Sequence, residues 1–296
     1  LLLGPETSNS WTIGAVVEPM HGLSLTVDYY NIKVNGAITT PTPKDAIEAC
    51  FGPADASGNY SPSATAATSD ACTIIRRNAL TGSLAGDPTT TPGLFLGLSN
   101  LGYLATSGVD VSLNYRRDLG FADLAIAANG NWTDKSVFQA TPSSDALDCV
   151  GLYGTNCGSI QPKFQWSVRT TLSFEQLDLS LLWRHIDSVQ SEEQPCSSTG
   201  DGSAPYCGVI AASGGNLAGQ AMDGSHIPSY DYFDLTGRYN INDNLTLTLT
   251  VQNLFNKAPP LVGSTVGTTS YNSGNTYPST YDALGRRFGI AVKLKF

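Results

Sequence analysis

Apolar and polar residues alternate without a break along the segment 287–296. One parity is apolar, and it holds Phe288, Ile290, Val292, Leu294 and Phe296. The other parity is polar, basic or small. A period of two predicts a strand with one apolar and one polar face. A length of about ten residues is what a tilted strand needs to cross the hydrocarbon core of a bilayer. The segment therefore predicts a membrane-spanning β-strand.

The same alternation recurs in eight earlier segments. We predict strands at 11–17, 23–30, 109–116, 124–133, 164–174, 177–184, 233–241 and 245–252. A soluble antiparallel sheet with one wet face would alternate in the same way. However, large aromatic residues lie on the apolar parity near strand ends, as in the interfacial girdles of membrane barrels: Tyr29, Tyr115, Trp132, Trp166, Trp183 and Tyr239. The predicted fold is all-β, an antiparallel transmembrane β-barrel portion of about nine strands.

The connections between these strands alternate between short and long. The short ones are 18–22, 119–123, 175–176 and 242–244, and the long ones are 39–106, 139–163, 187–230 and 256–285. Outer-membrane barrels have short periplasmic turns and long extracellular loops. We therefore expect the long loops to be extracellular and the C-terminus to be periplasmic. Bacterial barrels have even strand numbers, so nine strands predict that 1–296 is a single-domain, C-terminal part of a larger barrel.

Composition narrows the class of protein. The mean hydropathy of -0.08 and the lack of any long apolar run exclude a helical membrane protein. A membrane barrel gives no hydropathy signal because its lipid-facing and lumen-facing residues alternate. The net charge of -9 argues against nucleic acid as a partner.

Six cysteines lie in the long connections, two in each of the first three. We predict the disulfide pairs Cys50–Cys72, Cys149–Cys157 and Cys196–Cys207. Disulfides need an oxidising compartment, which the bacterial periplasm provides. A zinc site is the competing interpretation, but there is no C-x-x-C motif and the histidines are scattered.

No catalytic motif is present. His21, His185 and His226 are far apart in the sequence, and no G-x-S-x-G, Walker or H-E-x-x-H motif occurs. We therefore expect a protein that is not an enzyme, with no catalytic, cofactor-binding or metal-binding residues. Five basic residues on the polar parity are expected to face the lumen: Arg116, Arg169, Arg184, Arg238 and Lys293.

Several motifs resemble those of one family. They are Pro5-Glu6-Thr7-Ser8, Glu18-Pro19, Asp28-Tyr29-Tyr30, Ser107-Gly108-Val109-Asp110, Asn253-Leu254-Phe255-Asn256-Lys257 and the segment from Tyr281 to Phe288. Together they resemble the C-terminal half of the barrel of TonB-dependent outer-membrane receptors. The last strand also resembles the signal that the barrel assembly machinery reads, carried here by Arg287, Gly289, Val292, Leu294 and Phe296.

The resemblance implies a barrel of about twenty-two strands with a plug domain in its lumen. Such receptors use energy delivered through TonB to import a scarce ligand, such as a siderophore, cobalamin or a glycan. The plug, the TonB-contacting box and the first barrel strands are not in this chain, so we do not expect it to transport alone. The implied partners are outer-membrane lipid, the barrel assembly machinery, TonB and a small-molecule ligand.

Two other classes remain as alternatives. A passive porin would have similar strands but would be a complete, even-stranded barrel without the Asn-Leu-Phe-Asn-Lys segment. An outer-membrane enzyme would need a catalytic set near the lumen mouth, which the sequence does not indicate. The ligand cannot be read from the barrel motifs.

Overall fold

The computed structural model describes residues 3–55, 59–61, 70–84, 87, 89–142, 144–192, 209–211, 218–263 and 271–295. Nine long strands follow each other in one sheet in chain order. They are β1 Thr7–Met20, β2 Leu23–Thr39, β3 Ser99–Asp118, β4 Asp123–Gln139, β5 Phe164–Ser173, β6 Leu177–Ile186, β7 Tyr230–Asn242, β8 Leu245–Gln252 and β9 Arg287–Leu294. This meander confirms the predicted fold class and strand count. Among the described residues, no helix is both long enough and apolar enough to span a membrane.

The pairing register keeps like side chains on the same face. From β4 to β9 every pair of neighbours is antiparallel. Val168 lies opposite Trp183, and Ser167 lies opposite Arg184. Directly opposed residues lie on the same side of a sheet. The apolar residues of neighbouring strands therefore form one continuous face, and the polar residues form the other. We call the side of Val168 the apolar face and the side of Ser167 the polar face.

Four strands extend far beyond the bounds that the alternation predicted. β1 begins at Thr7 and ends at Met20, β2 continues to Thr39, β3 starts at Ser99 and β4 runs to Gln139. In β2 the apolar residues change parity, from Val27 and Tyr29 to Ile32 and Val34. A strand keeps one phase of alternation only while the same face meets the same environment. The regular alternation of apolar and polar residues in β2 therefore ends before the strand itself ends.

The long connections contain secondary structure of their own. The helix α1, Pro43–Phe51, has Thr42 as its N-cap in a reciprocal capping box with Asp45. A 3₁₀ helix spans Asp70–Ile74. The short strands are Ile75–Arg76, Gly93–Leu94, Leu147–Asp148, Leu152–Gly154, Gly158–Gln161, Val189–Ser191, Val209–Ala211, Ala221–Asp223 and His226–Ile227. The alternation of apolar and polar residues does not predict α1, although Thr42-Pro43-Lys44-Asp45 carries the signal for its start.

The chain divides into two compact units. The first comprises 1–9, 32–105 and 137–148, and the second comprises 10–31, 106–136 and 149–296. In the first unit, Lys44 forms an ion pair with Asp145, with 2.7 Å between Nζ and Oδ2. The side-chain hydroxyl of Thr39 donates to the carbonyl of Ala140 at 2.7 Å. The second unit holds the whole of β5 to β9.

The hydrophobic core of the second unit lies in its connections and at the adjoining ends of β6 and β7. Its buried members are Tyr153, Ile160, Ile186, Val189, Ile227, Tyr232, Val262, Tyr277 and Tyr281. The rings of Tyr153 and Tyr277 meet edge to face with centroids 5.6 Å apart. Burial raises the pKa of Tyr277 to about 12, and it also raises the pKa of Tyr153 and of Tyr281. These phenols therefore stay neutral at physiological pH. We call this group the loop core.

The apolar face of the spanning strands is not covered by protein. Phe288 and Ile290 are each 74% exposed, and Val292 is 60% exposed. In a soluble sheet, residues of this type would be packed against a second layer. An apolar face left open along several strands requires an apolar surrounding. The sheet therefore has the side-chain distribution of a membrane barrel wall.

Candidate functional site

A polar network connects three strands on the polar face. The side-chain amide of Asn131 on β4 donates to Asp110 Oδ1 on β3 at 2.8 Å and to the hydroxyl of Tyr30 on β2 at 3.1 Å. A Cβ at Gly108 would collide with the backbone carbonyl oxygen of Trp132 on β4 and would lie only 2.6 Å from the Tyr30 hydroxyl. Glycine is therefore needed at this position so that the neighbouring backbone and the tyrosine can both approach β3 closely. The close contacts at Gly108 explain the glycine of the Ser107–Asp110 motif. The two hydrogen bonds described above show that the side-chain amide of Asn131 is bound to protein groups.

The network borders a cavity of about 820 Å³ in the second unit. Most of its side chains come from the polar face of β2 to β6: Thr26, Asp28, Asp110, Ser112, Asn114, Asn129, Asn131, Gln165, Ser167 and Arg184. Ser279 and Thr280 are contributed by the connection before β9. The side chains of Ser112 and Asn129 are hydrogen-bonded to each other. The cavity therefore offers carboxylates, amides and hydroxyls, the groups that fix the orientation of a small polar ligand.

The basic residues expected on the polar face are partly neutralised within the sheet. Arg184 lies 3.3 Å from Asp234, and Arg238 lies 2.6 Å from Asp178 directly across the β6–β7 pair. Arg169 donates to the hydroxyl of Ser180 at 3.2 Å. The Nε of Arg184 is buried and has no hydrogen-bond partner among the described residues.

Polar groups also occur on the apolar face, just beyond the predicted bounds of the strands 177–184 and 233–241. Asp231 on β7 lies opposite His185 on β6. One oxygen of Asp231 accepts from Trp183 Nε1 at 2.8 Å and lies 2.9 Å from His185 Nδ1. Trp166 stacks on His185, with centroids 5.3 Å apart. Aromatic residues with a satisfied polar end are typical of a membrane interface, so this end of β5 to β7 forms an interfacial belt.

The motif Asn253–Lys257 closes the end of β8. Asn253 is 1% exposed, and its side chain accepts from Lys257 N at 2.8 Å and donates to the Lys257 carbonyl at 2.9 Å. Asn253 and Asn256 both have a positive φ, which asparagine tolerates better than most residues. Asn256 also accepts from the backbone N–H of Arg286 at 2.9 Å, just before β9. The motif therefore sets the entry of the last strand, a role that its sequence alone does not reveal.

Two of the three predicted cysteine pairs are disulfide bonds. Cys50 and Cys72 have Cα atoms 4.8 Å apart, and Cys149 and Cys157 have Cα atoms 5.4 Å apart. Cys50 is in α1 and Cys72 is in the 3₁₀ helix. Glu192 accepts from the backbone N–H of Asn156 at 2.8 Å and of Cys157 at 2.7 Å, which fixes the second bridged turn. The predicted pair Cys196–Cys207 lies outside the described residues.

The proposed assembly signal lies on β9 at one end of the strand order. Arg287, Gly289, Val292 and Leu294 belong to this strand, where every residue is exposed. β9 pairs with β8 from Leu245–Leu294 to Gln252–Arg287. Arg287 also lies 3.6 Å from Asp282. Phe296, the last residue of the proposed signal, lies outside the described residues.

The described residues contain no cluster of three or more histidine, cysteine, aspartate or glutamate side chains that could hold a metal ion. His185 is paired with Asp231, as described above. His226 donates its backbone N–H to Asp223 at 3.1 Å, in a turn where Asp223 also accepts from Ser225. In this turn the carboxylate is occupied by backbone and hydroxyl groups, which is a structural role.

Together, the open apolar face and the polar cavity define the wall of a transmembrane β-barrel. A family model described as TonB dependent receptor-like, beta-barrel, matches residues 2–254. The chain belongs to this family. Among curated proteins, no match was found.

Solved structures with the same fold are receptors and transporters. A mutant ferric enterobactin receptor from Pseudomonas aeruginosa, crystallised with enterobactin, is 17% identical over 98% of this chain with a TM-score of 0.54. The siderophore receptor PirA from Acinetobacter baumannii is 18% identical over 99% of this chain, also with a TM-score of 0.54. The copper transporter OprC is 15% identical over 100% of this chain, with a TM-score of 0.51. This chain spans 32% of the length of each.

Proposed function

We propose that the chain forms part of the wall of an outer-membrane receptor that imports a scarce ligand with energy delivered through TonB. One observation carries this proposal. The same strands present an open apolar face, with Trp132 on β4 51% exposed and Leu179 on β6 40% exposed, and a polar face that borders a cavity of about 820 Å³. Lipid can cover the apolar face, and a ligand or plug can occupy the cavity on the polar face. A soluble binding module would have no use for the open apolar face.

The chain 1–296 is proposed to be the C-terminal part of this barrel, with the plug and the first barrel strands elsewhere in the receptor. Its coverage of the solved receptors, 32%, supports this division. So does the exposure of the two outer strands, since every residue of β1 and β9 is exposed. Free strand edges of this length promote aggregation unless other strands pair with them.

The partners and placement follow from this assignment. TonB would act through the N-terminal plug, and the barrel assembly machinery would read the segment from Arg287 to Phe296. In the outer membrane, the long connections would be extracellular and the C-terminus periplasmic. The disulfides of two long connections support an oxidising location for them. Nothing in this arrangement calls for catalysis, so we propose a transport receptor and not an enzyme.

The ligand classes are siderophore-bound iron, cobalamin and glycans. The cavity contains the carboxylates of Asp28 and Asp110, several amides and hydroxyls, and the guanidinium of Arg184. Carboxylates repel a ligand that carries several negative charges. The amides and hydroxyls are suited to a ligand rich in hydroxyl and amide groups. The cavity therefore favours a neutral, polyhydroxylated ligand over a multiply charged anion.

The test is ligand uptake by cells that produce the complete receptor containing this chain. Labelled ferric siderophores, cobalamin and oligosaccharides are offered to otherwise identical hosts with and without TonB. We expect saturable uptake of one class in the TonB-positive host only. Equal uptake in both hosts, together with solute flux through the purified protein in liposomes, would establish a passive porin instead.

A matched pair of variants tests the cavity itself. Ser167→Trp places a large ring in the cavity, whereas Val168→Trp places the same ring on the apolar face one residue along β5. We expect the first to raise the half-saturating ligand concentration about tenfold and the second to leave it unchanged. Identical effects of both variants would show that the cavity does not contribute to ligand binding.

A further inference from the structure

The apolar face contains a groove where a side chain is missing. Gly130 lies on this face of β4, opposite Trp166 on β5. Around it is a depression of about 480 Å³. Its apolar walls include Val109, Val111, Leu113, Trp132, Phe164 and Trp166. The groove thus runs across three strands, with aromatic rings along one side.

Glycine is not required here by the backbone. Gly130 does not have the positive φ that favours glycine. A Cβ at this position would lie 3.5 Å from Trp166 Cβ, an ordinary van der Waals distance. Gly108 is different, because a Cβ there would collide with neighbouring atoms. The local fold would accept a side chain at position 130, so what the glycine supplies is the open space.

The groove has a basic residue at its rim. The Nζ of Lys163 lies 6.0 Å from the centroid of the Trp132 ring, within the range of a cation–π contact. Lys163 directly precedes β5, at the strand end that leads from the long connection 140–163. The groove therefore combines an apolar slot with a cation at the level of the interfacial aromatic belt. An anionic lipid has the complementary arrangement, an acyl chain below a phosphate.

We propose that this groove is a binding site for a phosphorylated, multiply acylated glycolipid of the outer leaflet. One acyl chain lies in the slot above Gly130, against Trp132 and Trp166, and Lys163 contacts a phosphate of the headgroup. The glycolipid is chosen over a glycerophospholipid because the groove is at the end of β5 that follows the long connection 140–163, and this end faces the outer leaflet in the proposed orientation. This inference rests on the proposed membrane location of the apolar face.

The experiment uses the complete receptor, purified in mild detergent and titrated with lipid A or with phosphatidylglycerol, with bound lipid counted by native mass spectrometry. Gly130→Leu fills the slot. Gly237→Leu is the matched control, because Gly237 is on the same face of β7 and its Cβ would lie 3.7 Å from Leu179, but it is outside the groove. Lys163→Ala removes the cation.

We expect the wild type and Gly237→Leu to retain lipid A equally. Gly130→Leu should retain it about tenfold more weakly, the effect expected when roughly two methylene groups lose their contacts. Lys163→Ala should weaken retention of lipid A but not of its dephosphorylated form. Gly130→Ala, which adds one carbon at an ordinary contact distance, should give a smaller loss and serves if the leucine variant does not assemble.

Equal losses in the Gly130 and Gly237 variants would overturn the proposal, as would equal retention of phosphatidylglycerol and lipid A. A failure of the proposed transport function would be detected by a separate measurement. TonB-dependent uptake is measured on the wild-type receptor, where no groove residue is changed. A receptor that imports its ligand but retains no lipid A would disprove the groove site alone.

Discussion

Two apolar regions of the second unit differ in what covers them. In the loop core, Tyr153 and Ile227 are 0% exposed, and protein surrounds them on every side. On the apolar face of β9, residues of the same chemical type are largely open, with Phe288 74% exposed. One region has the packing of a small soluble protein. The other presents a surface that only an apolar solvent can accept.

This difference shows how one chain can fold in two solvents. Burial of tyrosine and isoleucine in the connections removes apolar surface from water through protein contacts alone. The strands expose the apolar side chains of one face to lipid. The polar side chains of the opposite face contact each other, as Arg238 and Asp178 do. Mutations should therefore have effects that depend on which solvent the changed residue meets.

The largest expected effect is in the loop core. Replacing Tyr153 with Ala removes a fully buried ring that contacts Tyr277, and we expect a loss of about 3–5 kcal/mol in the local stability of the connections. Hydrogen exchange of the receptor in lipid should show lost protection at Val189 and Ile227 while β8 and β9 stay protected. Tyr153→Phe is the control, because it loses only the 3.0 Å hydrogen bond to the Gly224 carbonyl. Equal loss of protection in β8 and β9 would mean that the two regions unfold together.

The next effect concerns the apolar face of β9. Val292→Arg places a charge in lipid near the middle of the strand and should cost about 2–4 kcal/mol, whereas Ala291→Arg on the polar face should cost much less. In the register, Val292 lies opposite Leu247 and Ala291 lies opposite Thr248. Both variants of the complete receptor are folded into lipid vesicles and titrated with denaturant. Equal penalties would show that the alternation does not separate lipid from water.

The smallest effect is at the exposed pair of the first unit. The hydrogen bond from Lys44 holds the pKa of Asp145 below its ordinary value of 3.8, and the hydrogen bond to Asp145 raises the pKa of Lys44 above 10.5. The contribution of Asp145 is present above pH 3.8 and is lost as the pH falls through its lowered pKa in the folded state. That of Lys44 is present below pH 10.5 and is lost as the pH rises through its raised pKa.

Because both side chains are exposed, the pair should contribute little to stability. In Lys44→Met we expect the pKa of Asp145 to return towards its ordinary value while the midpoint of denaturation hardly changes. Selective carboxyl labelling followed by NMR titration measures the pKa of Asp145, and denaturant titration measures the midpoint of denaturation. An unchanged pKa of Asp145 would show that the ion pair does not form in solution.

The sequence predicted the features that depend on local order. Alternation in β5 to β9 gave the strands and the two faces, because each strand meets lipid on one side and water on the other along its whole length. It did not give the full length of β2, where the apolar residues change parity after Tyr30. The positions of the cysteines predicted the two disulfide bonds that the structure contains, since two cysteines in one connection leave few possible partners.

By itself, the sequence determined which residues could face lipid and which could line a wet interior. Only the tertiary structure determined how distant groups combine: the network of Tyr30, Asp110 and Asn131, the pairing of Arg184 with Asp234, and the packing of four tyrosines with aliphatic residues in the loop core. The physical reason is the range of the interactions. The alternation of a strand is repeated every two residues and can be read locally, whereas contacts between connections and across strands join residues far apart in the sequence. No periodic pattern in the sequence predicts these long-range contacts.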